Sequence, residues 1–310
     1  MNRNVLLVTH TGRDEALAAT LEAIEALVIS GINPVMTETE LLEAKTALGA
    51  NPSALQSLAK VGQVGRNVEL VDVELAMVFG GDGTILKAAE IVRESATALL
   101  GINLGHVGFL AESERAGLSD AVSRVVAKDY VVKDRLTLDV SVQVAGKEVY
   151  RTWALNEATV EKSAAEKMLE VVIEVDRRPL TSFGCDGVVM STPTGSTAYA
   201  FSAGGPVVWP SVDALLMVPL SAHALFSRPL VVSPDSLMAV EVLQRSAGHG
   251  VLWCDGRRTQ ALPPGARVEV VRSETPVRLA RLHQGSFTDR LVNKFGLPVS
   301  GWRGPEQTNH

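Results

Sequence analysis

The sequence predicts an α/β domain followed by a β-rich, sandwich-like domain, with a C-terminal helix that returns to the first domain. Three observations support this prediction. The chain has 310 residues, which is enough for about two domains. Short apolar runs alternate with helical patterns up to about residue 130. From about residue 131, apolar and polar residues alternate with a period of two.

The first 130 residues show the strand and helix alternation that is typical of a mainly parallel sheet covered on both faces. The predicted elements are, in order, strand 5–9, helix 13–30, strand 34–37, strand 75–79, helix 85–94 and strand 98–102. Ligands of such sheets bind at the carboxyl ends of the strands. The loops that follow Phe79 and Ile102 are therefore the places where we expect a site.

The second half of the chain has the pattern of half-buried antiparallel strands. Leu136, Leu138 and Val140 alternate with polar residues, and the pattern continues to a turn at Ala145-Gly146. Similar strands are predicted at 169–175, 187–191, 237–243, 250–254 and 267–271. This pattern predicts a sandwich or a pair of stacked antiparallel sheets.

The residues after Leu282 return to a helical pattern. Ser286 is a candidate N-cap and Gly296 a candidate end, and the apolar side chains between them share one face. These side chains are Phe287, Leu291 and Phe295. We expect this helix to pack on the first domain. The predicted domains are thus 1–130 together with 283–300, and 131–282, and the polar tail 301–310 is expected to fray.

Composition excludes several classes of protein. The chain has 29 Lys plus Arg against 35 Asp plus Glu, a net charge of −6, so it lacks the cationic surplus of a general nucleic-acid binder. The longest apolar stretch, 214–226, is interrupted by Pro219 and His223 and is too short to span a bilayer. Two cysteines cannot form a disulfide framework or a zinc site. We expect a cytoplasmic protein that binds neither nucleic acid nor membrane.

A glycine-rich turn with a carboxylate inside it follows the strand 75–79. Its sequence is Gly80-Gly81-Asp82-Gly83-Thr84, and a helix begins after it. The glycines let the backbone approach a ligand, and the helix start favours phosphate. A carboxylate there repels phosphate unless it accepts a proton or holds a metal ion, which indicates phosphoryl transfer. Lys87 could reach a phosphate. The alternatives are a structural Asp-Gly turn and a solvated lysine.

A second loop, 103–110, follows the next strand and contains a histidine between two glycines. Phe109 could stack on a flat ring, although a core phenylalanine flanked by Val107 and Leu110 is equally consistent with the sequence. His106 could donate to a phosphate, but a loop histidine without a function is the more frequent case.

The segment 191–199 has five Ser or Thr residues in its first seven positions, directly after a predicted strand. Such hydroxyls suit phosphate and ribose oxygens, and Tyr199 offers a ring face. A capped loop would explain one or two of these residues. Asp186-Gly187 could bind a ribose diol or form a hairpin turn. Asp255-Gly256 repeats the same dipeptide after a cysteine, which favours turn chemistry for at least one of the two. Asn156-Glu157 adds an amide and a carboxylate.

Taken together and in this order, the motifs resemble those of the bacterial NAD kinase family, over most of the chain from Val5 to about Phe295. Lipid kinases of the diacylglycerol-kinase type share the Gly-Gly-Asp-Gly turn, whereas the run 192–199 together with Asn156-Glu157 is more particular to NAD kinases. The resemblance implies a Rossmann-like first domain, a β-rich second domain and a homodimer or homotetramer. It implies transfer of the γ-phosphate of ATP to the 2′-hydroxyl of the adenosine ribose of NAD, with a divalent cation, Mg²⁺ by expectation.

The resemblance also implies the site residues. Asp82 is expected to be the catalytic base, and the phosphate cradle comprises Gly80, Gly81, Gly83 and Thr84. The expected NAD-binding residues are Asp82, Gly83, Lys87, Phe109, Asn156, Glu157, Lys167, Asp186, Thr194, Thr197, Ala198, Tyr199 and Ser202. Many members carry arginine where this chain has Gly184, which leaves the choice between NAD and NADH open. Polyphosphate as donor, a lipid kinase and a non-catalytic NAD-binding sensor are the alternatives.

Overall fold

The structure is a computed structural model that describes residues 3–104, 108–111, 113–114, 117–164, 167–282 and 286–299. It consists of two compact units. The first unit is formed by Met1–Asp134 with Arg278–His310, and the second by Arg135–Val277. The predicted tail 301–310 and the loop residue His106 lie outside the described residues.

Most of the α-helices belong to the first unit, and strands predominate in the second. The α-helices are α1 Asp14–Ile29, α2 Glu38–Leu48, α3 Pro52–Leu58, α4 Asp82–Ile91, α5 Leu118–Ala127, α6 Tyr199–Ser202 and α7 Phe287–Phe295. The strands are β1 Asn4–Thr9, β2 Asn33–Met36, β3 Gly62–Gln63, β4 Val73–Phe79, β5 Ala98–Asn103, β6 Ser113–Glu114, β7 Val131–Arg135, β8 Leu138–Val144, β9 Lys147–Ala154, β10 Glu157–Lys162, β11 Leu169–Val175, β12 Arg178–Cys185, β13 Gly187–Ser191, β14 Leu215–Leu220, β15 Leu230–Val232, β16 Met238–Val242, β17 Gly250–Cys254, β18 Arg258–Leu262, β19 Ala266–Arg272 and β20 Val277–Arg281. No helix in the described part of the chain is long and apolar enough to cross a membrane.

The first unit is built on one sheet with the strand order β3-β2-β1-β4-β5-β20-β7, and β6 pairs with β5. The pairs β1–β2, β1–β4 and β4–β5 are parallel, as the alternation of strands and helices predicts. Every residue of β1 and β5 is buried, which is the pattern of parallel strands covered on both faces. Parallel pairing places the carboxyl ends of β4 and β5 at one edge, so the loops after Phe79 and Asn103 are neighbours.

Helices α2 and α3 lie in a region where the sequence pattern predicts none. The buried positions of α2 are Glu40 and Ala44, and those of α3 are Ala54 and Leu58. Helix α2 nonetheless has a short apolar stripe, because Leu41, Ala44 and Leu48 share one face and pack against the core of the first unit. Start signals are also present, because the side chain of Thr37 accepts the Glu40 N–H, and a proline stands at the start of α3.

Helix α4 begins at Asp82 rather than at the predicted Ile85, and it ends at Ile91. The prediction of a helix over 85–94 is therefore wrong at both ends. Gly81 is the N-cap, so that Asp82, Gly83 and Thr84 form the first turn. A carboxylate at this position is favoured by the positive end of the helix dipole.

The second unit consists of two antiparallel sheets of six strands each, which confirms the β-rich, sandwich-like prediction. Their orders are β15-β14-β13-β10-β17-β18 and β12-β11-β16-β19-β8-β9. Buried and half-buried residues alternate along β11 and β19. One core takes residues from both sheets, including Val140 and Val171 of one and Val188 and Leu252 of the other.

The C-terminal helix α7 has the predicted ends and belongs to the first unit. Ser286 accepts the Thr288 N–H at 3.1 Å, and the helix ends at Gly296, whose φ is 59°. The rings of Phe287 and Phe295 lie against Phe109. The return of this helix to the first unit is thereby confirmed.

Candidate functional site

The glycine turn joins the end of β4 to the start of α4. Gly80 is required by close approach, because a Cβ built on it would collide with the side chain of Thr84. Among the residues that the structure describes, no atom lies within 4 Å of a Cβ built on Gly81 or on Gly83. The Gly80 N–H donates to the Ile102 carbonyl at 3.1 Å, which ties the turn to β5. The turn thus presents backbone rather than side chains around Asp82.

The carboxylate of Asp82 is held by the segment 108–111. Its Oδ2 accepts the Phe109 N–H and its Oδ1 accepts the Leu110 N–H, both at 3.2 Å. A Cβ built on Gly108 would lie 2.5 Å from Oδ1, so only glycine lets the segment come this close. A carboxylate has about four lone-pair sites, and these two bonds leave further sites on a half-buried group. Asp82 is therefore fixed in position and still able to accept a proton.

The Lys87 side chain forms ion pairs with acidic side chains. Its Nζ forms an ion pair with Glu40 and a second one with Glu43 at 3.1 Å. The Glu40 side chain is 1% exposed, and its Oε2 also accepts the Thr9 N–H at 3.0 Å. Burial alone would lower the pKa of Lys87, but the two carboxylates outweigh it and raise that pKa. Lys87 therefore belongs to a structural ion pair, and its contact with a phosphate or with NAD stays a prediction.

Phe109 packs in the interior of the first unit. It is 9% exposed, and its ring centroid lies 6.0 Å from that of Phe287 and 5.9 Å from that of Phe295. Of the two interpretations that the sequence allowed, a core phenylalanine and a stacking surface, the packing favours the core. Phe109 contributes its backbone N–H to Asp82 instead.

The second unit contains another carboxylate that organises a chain segment, Asp255. It is 6% exposed and accepts the N–H groups of Leu155 at 2.9 Å and Asn156 at 2.7 Å, with that of Glu157 at 3.4 Å. Arg258 donates to it at 2.7 Å, and the Arg258 guanidinium lies 4.5 Å from the centroid of the Trp153 ring. Burial raises the pKa of Asp255, and these donors oppose the rise. Asp255 thus fixes the backbone at the predicted Asn156-Glu157 motif.

Glu157 is buried beside Asp255 and has a free acceptor. It is 7% exposed, one of its oxygens accepts the Tyr199 N–H, and within the described residues Oε2 has no hydrogen-bond partner. Burial raises the pKa of Glu157 to about 8, with a further contribution from the charge of Asp255. A buried polar atom without a partner is costly unless a ligand or water completes it, which makes this position a candidate binding group.

The hydroxyl-rich segment uses most of its hydroxyls internally. Four of the five donate to backbone carbonyls: Ser191 to Asn156 at 3.0 Å, Thr192 to Leu155 at 2.6 Å, Ser196 to Pro193 at 2.6 Å and Thr197 to Thr194 at 3.3 Å. The expectation that loop structure explains only one or two of them is therefore wrong. These bonds hold the segment against Asn156. Thr194, Thr197 and Ala198 are half-buried, and Tyr199 and Ser202 are exposed.

The two Cys-Asp-Gly triplets differ. Asp255 and Gly256 have φ values of 54° and 64°, so the turn chemistry expected of at least one triplet is confirmed there. Asp186 is half-exposed and pairs with Lys162 at 2.6 Å. Hydrogen bonds from Lys162 and Ser221 lower the pKa of Asp186. Lys167 has an exposed side chain.

Gly184, the position at which the resemblance leads us to expect arginine, lies against Met168. A Cβ built on Gly184 would collide with the Met168 sulfur, so Met168 takes the space that a larger side chain needs. The Gly184 carbonyl accepts the His223 N–H at 2.9 Å. This departure is therefore accommodated by local packing.

Three groups around these carboxylates carry no sequence signal that would have identified them. Glu40, Arg258 and Arg290 each bond to residues described above, and for Glu40 and Arg290 the partner is distant in the chain. The repeated Cys-Asp-Gly triplet is the one pattern that pointed to Asp255.

Comparison with known proteins gives matches along nearly the whole chain. Residues 5–130 match the model of the ATP-NAD kinase N-terminal domain, and residues 155–282 match that of the ATP-NAD kinase C-terminal domain. The chain is 62% identical to the NAD kinase of Leifsonia xyli over 304 residues, covering 98% of each chain. It is 56% identical to the NAD kinase of Thermobifida fusca, covering 98% of this chain and 92% of the relative.

Solved structures share the fold. The crystal structure of yeast NADH kinase complexed with NADH has a TM-score of 0.85 at 22% identity, covering 97% of this chain and 89% of that one. An NAD kinase from Archaeoglobus fulgidus in complex with ATP has a TM-score of 0.66 at 24% identity, covering 96% of this chain and 98% of that one. At these identities the likeness concerns the fold.

Proposed function

The chain belongs to the ATP-NAD kinase family, and we propose from this premise how its residues divide the work of the kinase reaction. The reaction transfers the γ-phosphate of ATP to the 2′-hydroxyl of the adenosine ribose of NAD and gives NADP and ADP. The observation that carries the proposal is the Asp82 carboxylate, held by two backbone N–H groups within an open glycine turn.

Asp82 acts as the base. The ribose oxygen forms a bond to the γ-phosphorus, the bond between that phosphorus and the bridging oxygen of ADP breaks, and the hydroxyl proton passes to the Asp82 carboxylate. Phosphoryl transfer depends mainly on positioning and charge compensation, which suits a carboxylate fixed by two donors. The residues Gly80, Gly81, Gly83 and Thr84 form the phosphate cradle at the start of α4, where a helix offers N–H groups to an anion. The Gly80 and Thr84 N–H groups already donate to the carbonyls of Ile102 and Gly81, so the N–H groups of Gly81 and Gly83 are the proposed phosphate donors.

The second unit supplies the NAD-binding groups. Asn156 and Glu157 bind the dinucleotide from a backbone fixed by Asp255, and the free Oε2 of Glu157 is completed by it. The remaining NAD-binding residues are Asp186, Thr194, Thr197, Ala198, Tyr199 and Ser202. Lys167 stays a peripheral candidate. Lys87 and Phe109 contribute indirectly, through an ion pair and through a backbone N–H.

A divalent cation, with Mg²⁺ as the expected ion, accompanies ATP. In the described part of the chain no group of three or more His, Cys, Asp or Glu could hold a metal ion. Mg²⁺ at nucleotide sites is commonly held mainly by substrate phosphates, so an ion that would be held by the phosphates of ATP fits a site without a ligand cluster of its own and leaves Asp82 able to accept the proton. When bound, the ion screens the charges of the phosphates.

The finer expectations complete the proposal. We place the protein in the cytoplasm as a homodimer or homotetramer whose substrates are small molecules rather than nucleic acid or lipid. The net charge of −6 supports the choice of small-molecule substrates over nucleic acid, because the chain has no surplus of cations and phosphate is then bound through local groups.

A product assay tests the proposal. Purified protein is mixed with ATP, Mg²⁺ and NAD, and NADP is measured with an NADP-specific dehydrogenase, with inorganic polyphosphate and NADH in parallel reactions. NADP formation is the expected result. Tight NAD binding by calorimetry without NADP would indicate a sensor, and phosphorylation of lipid alone would indicate the lipid-kinase alternative, for which the comparisons give no support.

A further inference from the structure

The peptide group between Phe109 and Leu110 bonds on both of its sides. Its N–H, that of Leu110, donates to Asp82 Oδ1 at 3.2 Å, and its carbonyl, that of Phe109, accepts from Arg290 Nη1 at 3.0 Å. Because the peptide group is planar and trans, fixing the direction of the carbonyl also fixes the direction of the N–H. Arg290 and Asp82 are thus connected through a single rigid group.

The same guanidinium nitrogen also donates a hydrogen bond to a second carbonyl of this segment, that of Ala111. Arg290 Nη1 donates to the Ala111 carbonyl at 2.8 Å, so the bonds of Arg290 enclose the segment 109–111. A cation on a peptide carbonyl polarises the group and strengthens the hydrogen bond that its N–H makes. The charge of Arg290 therefore supports the bonds that hold the Asp82 carboxylate.

The aromatic side chains of α7 fix the segment from the same helix. Phe287, Arg290 and Phe295 belong to α7, and Phe287 and Arg290 are three positions apart, so they share a helix face. The Phe109 ring lies against both phenylalanines. The segment therefore cannot turn its N–H groups away from Asp82 without separating this aromatic cluster.

We propose that α7 is a positioning element of the kinase reaction and that Arg290, through the Phe109–Leu110 peptide group, is a positioning residue for Asp82. The proposal rests on the proposed role of Asp82 as the base. Arg290 acts at a distance of one peptide group and binds neither substrate. The loss of Arg290 is then expected to slow the chemical step and to leave substrate binding unchanged.

The test compares Arg290→Met, which keeps the aliphatic stem and removes the donors, with Arg290→Lys, which keeps one cationic donor group. Lys294→Met is the matched control, because Lys294 is an exposed cation on the same helix. Arg290→Met is expected to lower kcat about 10- to 100-fold, with KM for NAD and ATP within about twofold of the wild type. Arg290→Lys is expected to be intermediate, and Lys294→Met unchanged.

Folding is followed by thermal unfolding in each variant, and Arg290→Leu, which also removes the charge and the donors, decides the outcome if Arg290→Met does not fold. Asp82→Asn is assayed beside them. If Asp82→Asn is inactive while folded Arg290→Met, or Arg290→Leu in its place, keeps the wild-type kcat, only the positioning role is wrong. A rise in KM at constant kcat also contradicts it. If Asp82→Asn retains full turnover, the assignment of Asp82 as the base and that of Arg290 as its positioning residue are both wrong.

Discussion

In each unit of this kinase, an aspartate followed by glycine accepts hydrogen bonds from the backbone of a distant segment. These two carboxylates, of Asp82 and Asp255, differ in how many of their lone pairs are left for another donor. Asp82 in the first unit is half-buried and accepts two N–H groups. Asp255 in the second unit is 6% exposed and accepts three, together with the guanidinium of Arg258. A carboxylate has about four lone-pair sites, and the donors described here use about half of them at Asp82 and nearly all of them at Asp255.

This difference separates a carboxylate that can do chemistry from one that maintains structure. The lone pairs of Asp255 are occupied by donors from its own unit, so it has no capacity left for a proton from a substrate. Asp82 keeps sites free in an open turn. Under the proposed function the same dipeptide serves two purposes, and burial and the number of donors distinguish them.

Removing the charge of Asp255 is expected to have the largest effect on folding stability. In Asp255→Asn an amide NH₂ would face N–H donors, and Arg258 would keep a buried charge without its partner, at a cost of about 3–5 kcal/mol in the free energy of unfolding. Urea unfolding measures this change. The matched control is Asp186→Asn, which alters the half-exposed aspartate of the other Cys-Asp-Gly triplet and is expected to change little. Equal unfolding midpoints for the two variants would contradict the structural role of Asp255.

Lys87→Met extends the comparison to a buried carboxylate of the first unit. It leaves Glu40 charged and buried, and we expect a loss of about 2–3 kcal/mol, less than at Asp255 because the Lys87 side chain is 29% exposed. Glu40→Gln in the same chain is expected to restore part of that loss. Lys60→Met, which breaks an exposed ion pair with Glu25, is the control with a small effect.

The same Lys87 variant also tests the phosphate interpretation. Under the structural account, KM for ATP stays near the wild-type value in folded Lys87→Met. A rise in KM for ATP that Glu40→Gln does not reverse would show that Lys87 binds phosphate after all.

The effect of Glu157→Gln on folding stability is expected to depend on pH. The pKa of Glu157 is raised from 4.5 to about 8, so between these values the folded protein holds a proton that the unfolded chain has released. Raising the pH through this window therefore lowers the free energy of unfolding, and the loss is complete above about pH 8. Glu157→Gln removes this contribution, and its urea midpoint falls less than that of the wild type.

Glu161→Gln is the control for this titration, because Glu161 lies four residues further along β10 and is only half-buried. Its pH dependence is expected to follow the wild type. Identical dependence of the urea midpoint on pH in wild type and Glu157→Gln would contradict a raised pKa of Glu157. It would mean that Glu157 is ionised in the folded protein despite its burial and the charge of Asp255.

The sequence was sufficient to predict the elements that carry a strong local pattern. The buried strands β1 and β5 are continuous apolar runs, and α7 has an N-cap, an apolar face and a terminal glycine. Helix α2 was missed although Leu41, Ala44 and Leu48 share one face, because this stripe is short and the most buried positions are a glutamate and an alanine. Local periodicity therefore identifies a short element less readily than a long one.

The candidate site can be recognised from the sequence where its residues are adjacent in the chain, whereas the groups that support these residues cannot. Asp82 is recognisable from the glycines around it. Asp255 bonds to Leu155 at a separation of 100 residues, and Arg290 bonds to Phe109 at a separation of 181. Hydrogen bonds across such distances depend on the folded arrangement and leave no pattern in a single sequence.

The contrast between the two aspartates is tested most directly by single-turnover NADP formation in Asp82→Asn, loaded with saturating ATP, Mg²⁺ and NAD. Because the Asn side chain keeps the shape but is a poor base, we expect the rate to fall by about 10²- to 10⁴-fold, while NAD affinity and the thermal unfolding midpoint stay close to the wild type. A folded, NAD-binding Asp82→Asn protein that forms NADP at the wild-type rate would contradict the assignment of Asp82 as the base.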